Sequence, residues 1–287
     1  MIKQKTILPI LIVMLFAGRI FAADGLQAAD DQAPKVDKAS ELAKQSQDPL
    51  SGLILMPVEY SYTPRVGPLD KPAQQVIFEP TFPIKINDEW QILTHTLIPF
   101  VKLPEIGDDT TSSGLSNITT SALLTSKKST KYTWGVGGGL MFPTASNTAP
   151  LSWTNTPTGY DCWAAGPAIV GVYKDGPWVA GALVNQMWSF GGGNSNMNMM
   201  QIQGFAFFNW GDGYYLGSMP RIIIDWTKSA DQGTLLPLGL QIGKLFMIGG
   251  VFPLGLSVGG YYNVIRPDFA PESMLRVELF FILPEFW

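Results

Sequence analysis

The C-terminal stretch constrains the fold most. Leu275, Val277, Leu279, Phe281 and Leu283 alternate with Arg276, Glu278 and Phe280, and the same parity runs on to Trp287. A strand sends successive side chains to opposite faces, so this pattern separates an apolar face from a mostly polar one. A membrane-spanning strand has that pattern, with lipid on one side and a lumen on the other. Eleven earlier segments read in similar terms. The expected fold class is therefore all-β, a transmembrane antiparallel β-barrel of about 12 strands with a short N-terminal helix.

The spans expected for these strands are 51–63, 73–86, 90–103, 114–125, 131–143, 162–174, 177–190, 198–210, 213–227, 235–246, 252–263 and 273–283. Most approach the roughly 9–11 residues that a tilted strand needs to cross lipid. Their connections alternate in length. Asn87–Glu89, Ser126–Thr130, Asp175–Gly176, Gly211–Asp212 and Met247–Val251 are short, whereas Thr144–Asp161 runs to 18 residues. Short turns on one rim and longer loops on the other are a property of outer-membrane barrels. An even strand count puts both termini on the short-turn, periplasmic side. Pro80, Pro99, Pro167 and Pro220 each remove a ladder donor and mark bulges or strand ends.

Ahead of the barrel, residues 1–22 read as a signal peptide: Lys3 and Lys5, then an apolar run, then Ala22 at the cut. Residues 23–48 form a flexible N-terminus and a short helix at about Asp37–Gln47, placed to act as a plug or as a periplasmic recruitment segment. Residues 49–287 are the barrel. Removing the leader takes away Lys3, Lys5 and Arg19 and moves the formal charge from −4 to −7. An acidic chain without a basic stripe argues against nucleic acid. The single cysteine, Cys162, has no internal partner for a disulfide.

Strand parity assigns the side chains to two environments. Trp178 and Trp188 lie near the two ends of one strand, and Tyr214 and Trp226 near the ends of another, as interfacial girdles require. The opposite parity points Glu59, Glu79, Lys85, His95, Arg221, Asp225, Arg276 and Glu278 into the lumen, together with Asn185, Gln201, Gln203 and Gln241. Charge is costly on the lipid side, by roughly 2–4 kcal/mol for Arg or Lys at the midplane. The lumenal set holds both signs in similar number, so it predicts no strong ion filter. These residues either line a pore or pair across the lumen and stiffen the wall.

No catalytic set, cofactor or metal site is expected. His95 is the only histidine, and a Ser–His pair would need a serine from another strand, with none singled out. One His and one Cys fall short of a metal ligand set. Asp108–Asp109 lack the remaining ligands of a calcium loop. Gly137–Gly139 sit in a strand without the helix and Lys of a phosphate loop. Met197, Met199 and Met200 read as a Met-rich strand end.

Several segments resemble a family of bacterial outer-membrane transporters that often carries the mistaken label neuromedin U, related to the barrel proteins linked with the phenol-degradation meta-pathway. They are Glu41–Pro49, Trp134–Gly138 leading to Phe142–Thr144, Gly176–Leu183 running on to Trp188–Phe190, Gly213–Leu216, Pro237–Gly239 and Tyr261–Val264. The resemblance runs from about Ser40 to Leu283; the tail Glu285–Trp287 departs from it. It implies transport of a small, aromatic or apolar solute and brings no catalytic motif.

The resulting expectation is a channel for passive diffusion in the bacterial outer membrane. Its partners would be the lipid bilayer, the barrel-assembly machinery, periplasmic chaperones and a small-molecule solute. The alternatives are a closed structural or surface-interaction barrel, and a membrane-embedded hydrolase using His95.

Overall fold

The computed structural model describes residues 37–66, 70–103, 113–128, 130–146, 159–268 and 270–283. The expected leader, the stretch up to residue 36, the Asp108–Asp109 pair and the C-terminal tail lie outside these residues. The chain forms α1 (Lys38–Ser46) and then β1 (Ile54–Val66), β2 (Lys71–Phe78 and Thr81–Lys85), β3 (Trp90–Lys102), β4 (Ser113–Leu115 and Thr119–Ser126), β5 (Tyr132–Met141) and β6 (Cys162–Asp175). The second half contains β7 (Trp178–Gly192), β8 (Asn198–Gly211), β9 (Tyr214–Ser218 and Arg221–Asp225), α2 (Ala230–Gly233), β10 (Thr234–Ile248), β11 (Phe252–Ile265) and β12 (Ser273–Leu283).

Each strand pairs antiparallel with its neighbours, and β12 returns to β1 in register from Ile54 with Leu283 to Tyr62 with Leu275. The sheet therefore closes into a barrel of twelve strands and leaves no edge, as lipid demands of a sheet whose backbone groups find no water. The strand count of about twelve and the alternation of turn lengths hold; the expected spans hold to within three residues at each end, and three of the strands, β2, β4 and β9, are interrupted. No described helix is long and apolar enough to cross a membrane, and the crossing elements of this architecture are strands.

The prolines divide into two kinds. Pro80 and Pro220 sit at the interruptions of β2 and β9, where the missing N–H breaks the ladder. Pro99 stays within β3 opposite Ile77, and Pro167 within β6, where β6–β7 pairing lapses between Ala165 and Ala168 without a change of register. A third interruption, in β4, has another cause. Asn117 leaves the ladder and its side chain donates to the carbonyls of Phe142 (2.9 Å) and Tyr160 (2.8 Å) while accepting from Tyr160 N–H (2.9 Å). A strand residue is thereby spent on anchoring both ends of the long connection after β5.

The outer face carries the exposed apolar side chains, among them Val136, Ile169, Leu240, Ile242, Val258 and Leu275. The inner face has three levels. Near the short turns it is apolar, with Leu55, Leu93, Leu123, Val170, Phe205, Phe207 and Phe280. A polar belt follows at mid-depth. Near the loops a second apolar cluster gathers Met141, Cys162, Met187, Met197, Met199 and Ile223. Large rings fit the lower level because glycines face them: a methyl added at Gly255 or Gly243 would overlap the ring of Phe280 or Tyr215.

Candidate functional site in the lumen

The polar belt is assembled from strands on both sides of the ring. β1 and β12 bring Glu59 and Glu278 into direct register, two like charges facing one another. Such a pair is destabilising unless compensated, and two buried guanidiniums stand beside it. Arg276 Nε lies 3.3 Å from Glu59 Oε1, and Arg221 Nη2 lies 3.9 Å from Glu59 Oε2. Arg221 Nη2 also donates to Glu79 Oε1 at 2.8 Å. Glu79 Oε2 meets His95 Nε2 at 3.3 Å. Both arginines are 1% exposed and Glu59 is 2% exposed, so these interactions are shielded from water.

The strand interruptions supply part of this network. Pro220 frees the backbone of Met219, whose N–H donates to Tyr261 Oη (3.2 Å) and whose carbonyl accepts from Arg276 Nη1 (2.9 Å). Tyr261 Oη donates in turn to Gln241 Oε1 at 2.8 Å, and the Arg276 guanidinium lies 4.5 Å from the Tyr261 ring centroid. Backbone groups that lost a ladder partner thus fix the position of a buried cation. A second cross-lumen contact joins Asn185 on β7 to Ser121 on β4 at 3.0 Å.

Six of the eight charged or titratable side chains singled out in the sequence meet in this belt: Glu59, Glu79, His95, Arg221, Arg276 and Glu278. The other two do not. Lys85 is exposed at the short-turn end of β2. Asp225 lies at the loop end of β9, where it accepts from Thr227 and is 3.4 Å from Lys228. Belt residues that sequence reading missed include Tyr261 and Ser61, whose hydroxyl donates to Glu59 Oε1 at 3.1 Å. Both lie on the lumenal parity of their strands, and that periodicity was the available signal.

Below the belt lies a cavity of about 120 Å³, walled by the lower apolar level and bordered by Glu278, Glu79, His95, Gln203 and Gln241. Ser46, Gln47 and Pro49 border it at the short-turn end. The helix leading to them is held by specific bonds. Asp37 caps it by accepting from Ala39 N–H (3.1 Å) and Ser40 N–H (3.3 Å), and Ala43 is fully buried against the inner wall. The β8–β9 turn, Asp212–Gly213, has φ of 51° and 76°, the left-handed pair that two-residue hairpins favour. Its two N–H groups donate to Asp37 Oδ2 (2.6 Å) and Ser40 Oγ (3.0 Å). Farther along, Gln47 and Asn209 exchange two amide hydrogen bonds of 3.0 and 2.9 Å, and Lys174 pairs with the buried Asp48 at 2.5 Å.

On the outside, Trp178 and Tyr214 stand at the short-turn ends of β7 and β9, and Trp188 and Trp226 at the loop ends. All four are exposed, from 38% to 53%. From Trp178 to Trp188 the strand rises about 33 Å at ~3.3 Å per residue. At a tilt of ~40° this gives about 25 Å of height, the width of the apolar band of an outer-membrane barrel.

No cluster of three or more His, Cys, Asp or Glu side chains suited to a metal ion occurs among the described residues. No family model matches the chain, and no curated relative matches it in sequence. Among solved structures, it is similar to an outer membrane channel from Pseudomonas putida F1, with 15% identity and a TM-score of 0.57 over 90% of this chain and 100% of that one. It is also similar to the NanC porin, at 9% identity and a TM-score of 0.51 over 80% of this chain and 100% of the porin. At such identities the likeness is one of architecture, and the architecture is that of the outer-membrane β-barrels.

Proposed function

We propose that this protein is an outer-membrane channel for passive diffusion of a small solute, aromatic or otherwise apolar, with both termini in the periplasm. The carrying observation is the combination of a closed twelve-stranded wall, apolar outside, with a lumen that keeps a polar belt and a cavity beneath it. Twelve strands enclose more than the eight whose side chains fill a small barrel. The two solved barrels described above bear the names channel and porin, which supports the same reading. Trp178, Trp188, Tyr214 and Trp226 then serve as the two interfacial girdles, and the six belt residues form the constriction. α1 is the gate at the periplasmic mouth. In this reading the barrel-assembly machinery and periplasmic chaperones deliver the chain to the bilayer.

A closed structural barrel is the second reading. The observation favouring it is the Arg221–Glu79 bond, which crosses the lumen at mid-depth. A hydrolase reading is weaker, because the His95 ring is engaged with Glu79, itself bonded to Arg221, rather than with a hydroxyl nucleophile.

Single-channel recording of the refolded mature protein in a planar bilayer tests the proposal. Discrete, reproducible current steps are expected. Silence from correctly folded barrels, both with and without residues 23–48, would establish the structural reading instead.

A further inference from the structure

With His95 counted as neutral, the charges of the belt do not balance: three carboxylates, Glu59, Glu79 and Glu278, share one level with two guanidiniums, Arg221 and Arg276, which leaves one formal negative charge. Arg276 pairs with Glu59, while Arg221 is bonded to Glu79 and lies close to Glu59. No ion pair joins either arginine to Glu278. Glu278 is also the carboxylate that borders the cavity with no such bond, since Glu79, its neighbour on the cavity wall, is already held by Arg221 and His95. An uncompensated carboxylate beside a largely apolar cavity is unfavourable until a positive charge joins it.

The remainder of the cavity defines what that charge must be attached to. Leu55, Leu93, Leu123, Val170, Phe205 and Phe207 line its lower wall. Such a wall leaves a hydrated metal ion without oxygen ligands and suits a hydrocarbon body. The volume, about 120 Å³, is close to the ~150 Å³ of an engineered apolar cavity that accepts benzene, so a body of about five to seven heavy atoms fits.

We infer that the cavity beneath the belt is a binding site for a small organic monocation, an alkyl- or arylammonium ion whose ammonium group meets Glu278 and whose hydrocarbon body fills the apolar lower level. The inference rests on the proposed channel reading and adds the charge of the solute. Gln203 and Gln241 also line the cavity and offer further polar partners for the ammonium hydrogens. Arg276 and Arg221 hold Glu59 and Glu79 and so leave Glu278 as the acceptor of the incoming charge.

Three compounds of nearly equal shape test this: isopentylammonium, isopentyl alcohol and isovalerate, titrated calorimetrically into the refolded mature protein in detergent. The ammonium ion is expected to bind about tenfold or more tightly than the alcohol, the gain of a charge-assisted bond over a neutral one. Isovalerate is expected to show no binding. Glu278→Gln is expected to remove the preference for the cation. Equal affinity for amine and alcohol would overturn the inference, because a proton rather than a ligand then fills the charge gap. Absence of binding by all three would overturn it as well. If Glu278→Gln does not refold, the comparison of the three compounds on the unaltered protein decides alone. A barrel that conducts in a bilayer yet shows no preference for the ammonium ion refutes this inference and leaves the channel reading standing. Binding without conductance does the reverse.

Discussion

Arg221 reaches across the barrel to Glu79, Nη2 to Oε1 at 2.8 Å, from a strand five places away around the ring. Each residue adjoins a proline that breaks its strand, Glu79 before Pro80 and Arg221 after Pro220. The breaks relax the wall at two nearly opposite points, and the ion pair ties those points together through the lumen.

Removing one partner should be far worse than removing both. Arg221→Met leaves the Glu79 carboxylate buried with only His95 beside it, and a loss of about 3–5 kcal/mol is expected. Glu79→Leu combined with Arg221→Met removes both charges, and its stability should lie near that of the parent or above it. Urea unfolding of the refolded barrels in vesicles provides the comparison. Equal destabilisation in the single and double variants would show that the pair is not an electrostatic unit.

The helix should detach without loss of the barrel. Asn209→Leu removes both amide bonds to Gln47. At about 0.5–1.5 kcal/mol each, their loss should raise tryptic cleavage after Lys44 by about fivefold or more. The urea midpoint of the barrel should stay where it is. A barrel that unfolds in parallel with helix cleavage would mean that α1 is part of the wall's own stability.

Charge on the outer face should be tolerated according to depth. Leu240 stands near the middle of β10 and Ile248 at its short-turn end, 58% and 52% exposed on the same face. Leu240→Arg is expected to destabilise by about 2–4 kcal/mol and Ile248→Arg by about 0–1. Reversal of that order in vesicle unfolding would misplace the bilayer along the barrel.

Acid should loosen α1 only well below neutrality. The Asp37 carboxyl is held below its ordinary value of 3.8, first by the Ser40 hydroxyl and then by N–H groups of Ser40, Asp212 and Ala39. A lowered folded value means that its contribution is complete above the ordinary value and is lost as pH falls through the lowered one. Acid-protease cleavage of α1 should therefore stay constant from pH 7 to about pH 4 and rise below it in the parent. In Asp37→Asn, which accepts fewer of these bonds, that step should vanish. A step near pH 6 in the parent would assign the opening to another group.

Strand alternation made the wall legible because a lipid-facing strand must repeat every two residues, with little room for exceptions. The sequence of Leu275 to Leu283 is enough to orient β12, and Asp212–Gly213 with its neighbours announces a tight turn. The same parity placed Glu59, Glu79, His95, Arg221, Arg276 and Glu278 on the inner face. Leu55, Phe205 and Phe280 share the parity of Glu59, Gln203 and Glu278 and so belong to the inner face as well, but only the closed barrel shows that they gather at one level below the charges.

By itself, then, the sequence determined a barrel of about twelve strands, their inside and outside, and the alternation of short and long connections, all of which follow from local periodicity; the closure of β12 on β1 fixed the count at twelve. Tertiary structure decided which charges meet. Glu59 and Glu278 are far apart in the chain and become partners only when β12 closes on β1. Arg221 finds Glu79 only because the ring is narrow enough to reach across. The seat of α1 was likewise beyond sequence reading: a weakly apolar helix of nine residues is marginal alone, and its position is fixed by the free N–H groups of one turn and by Asn209 and Lys174, which the closed barrel brings beneath it.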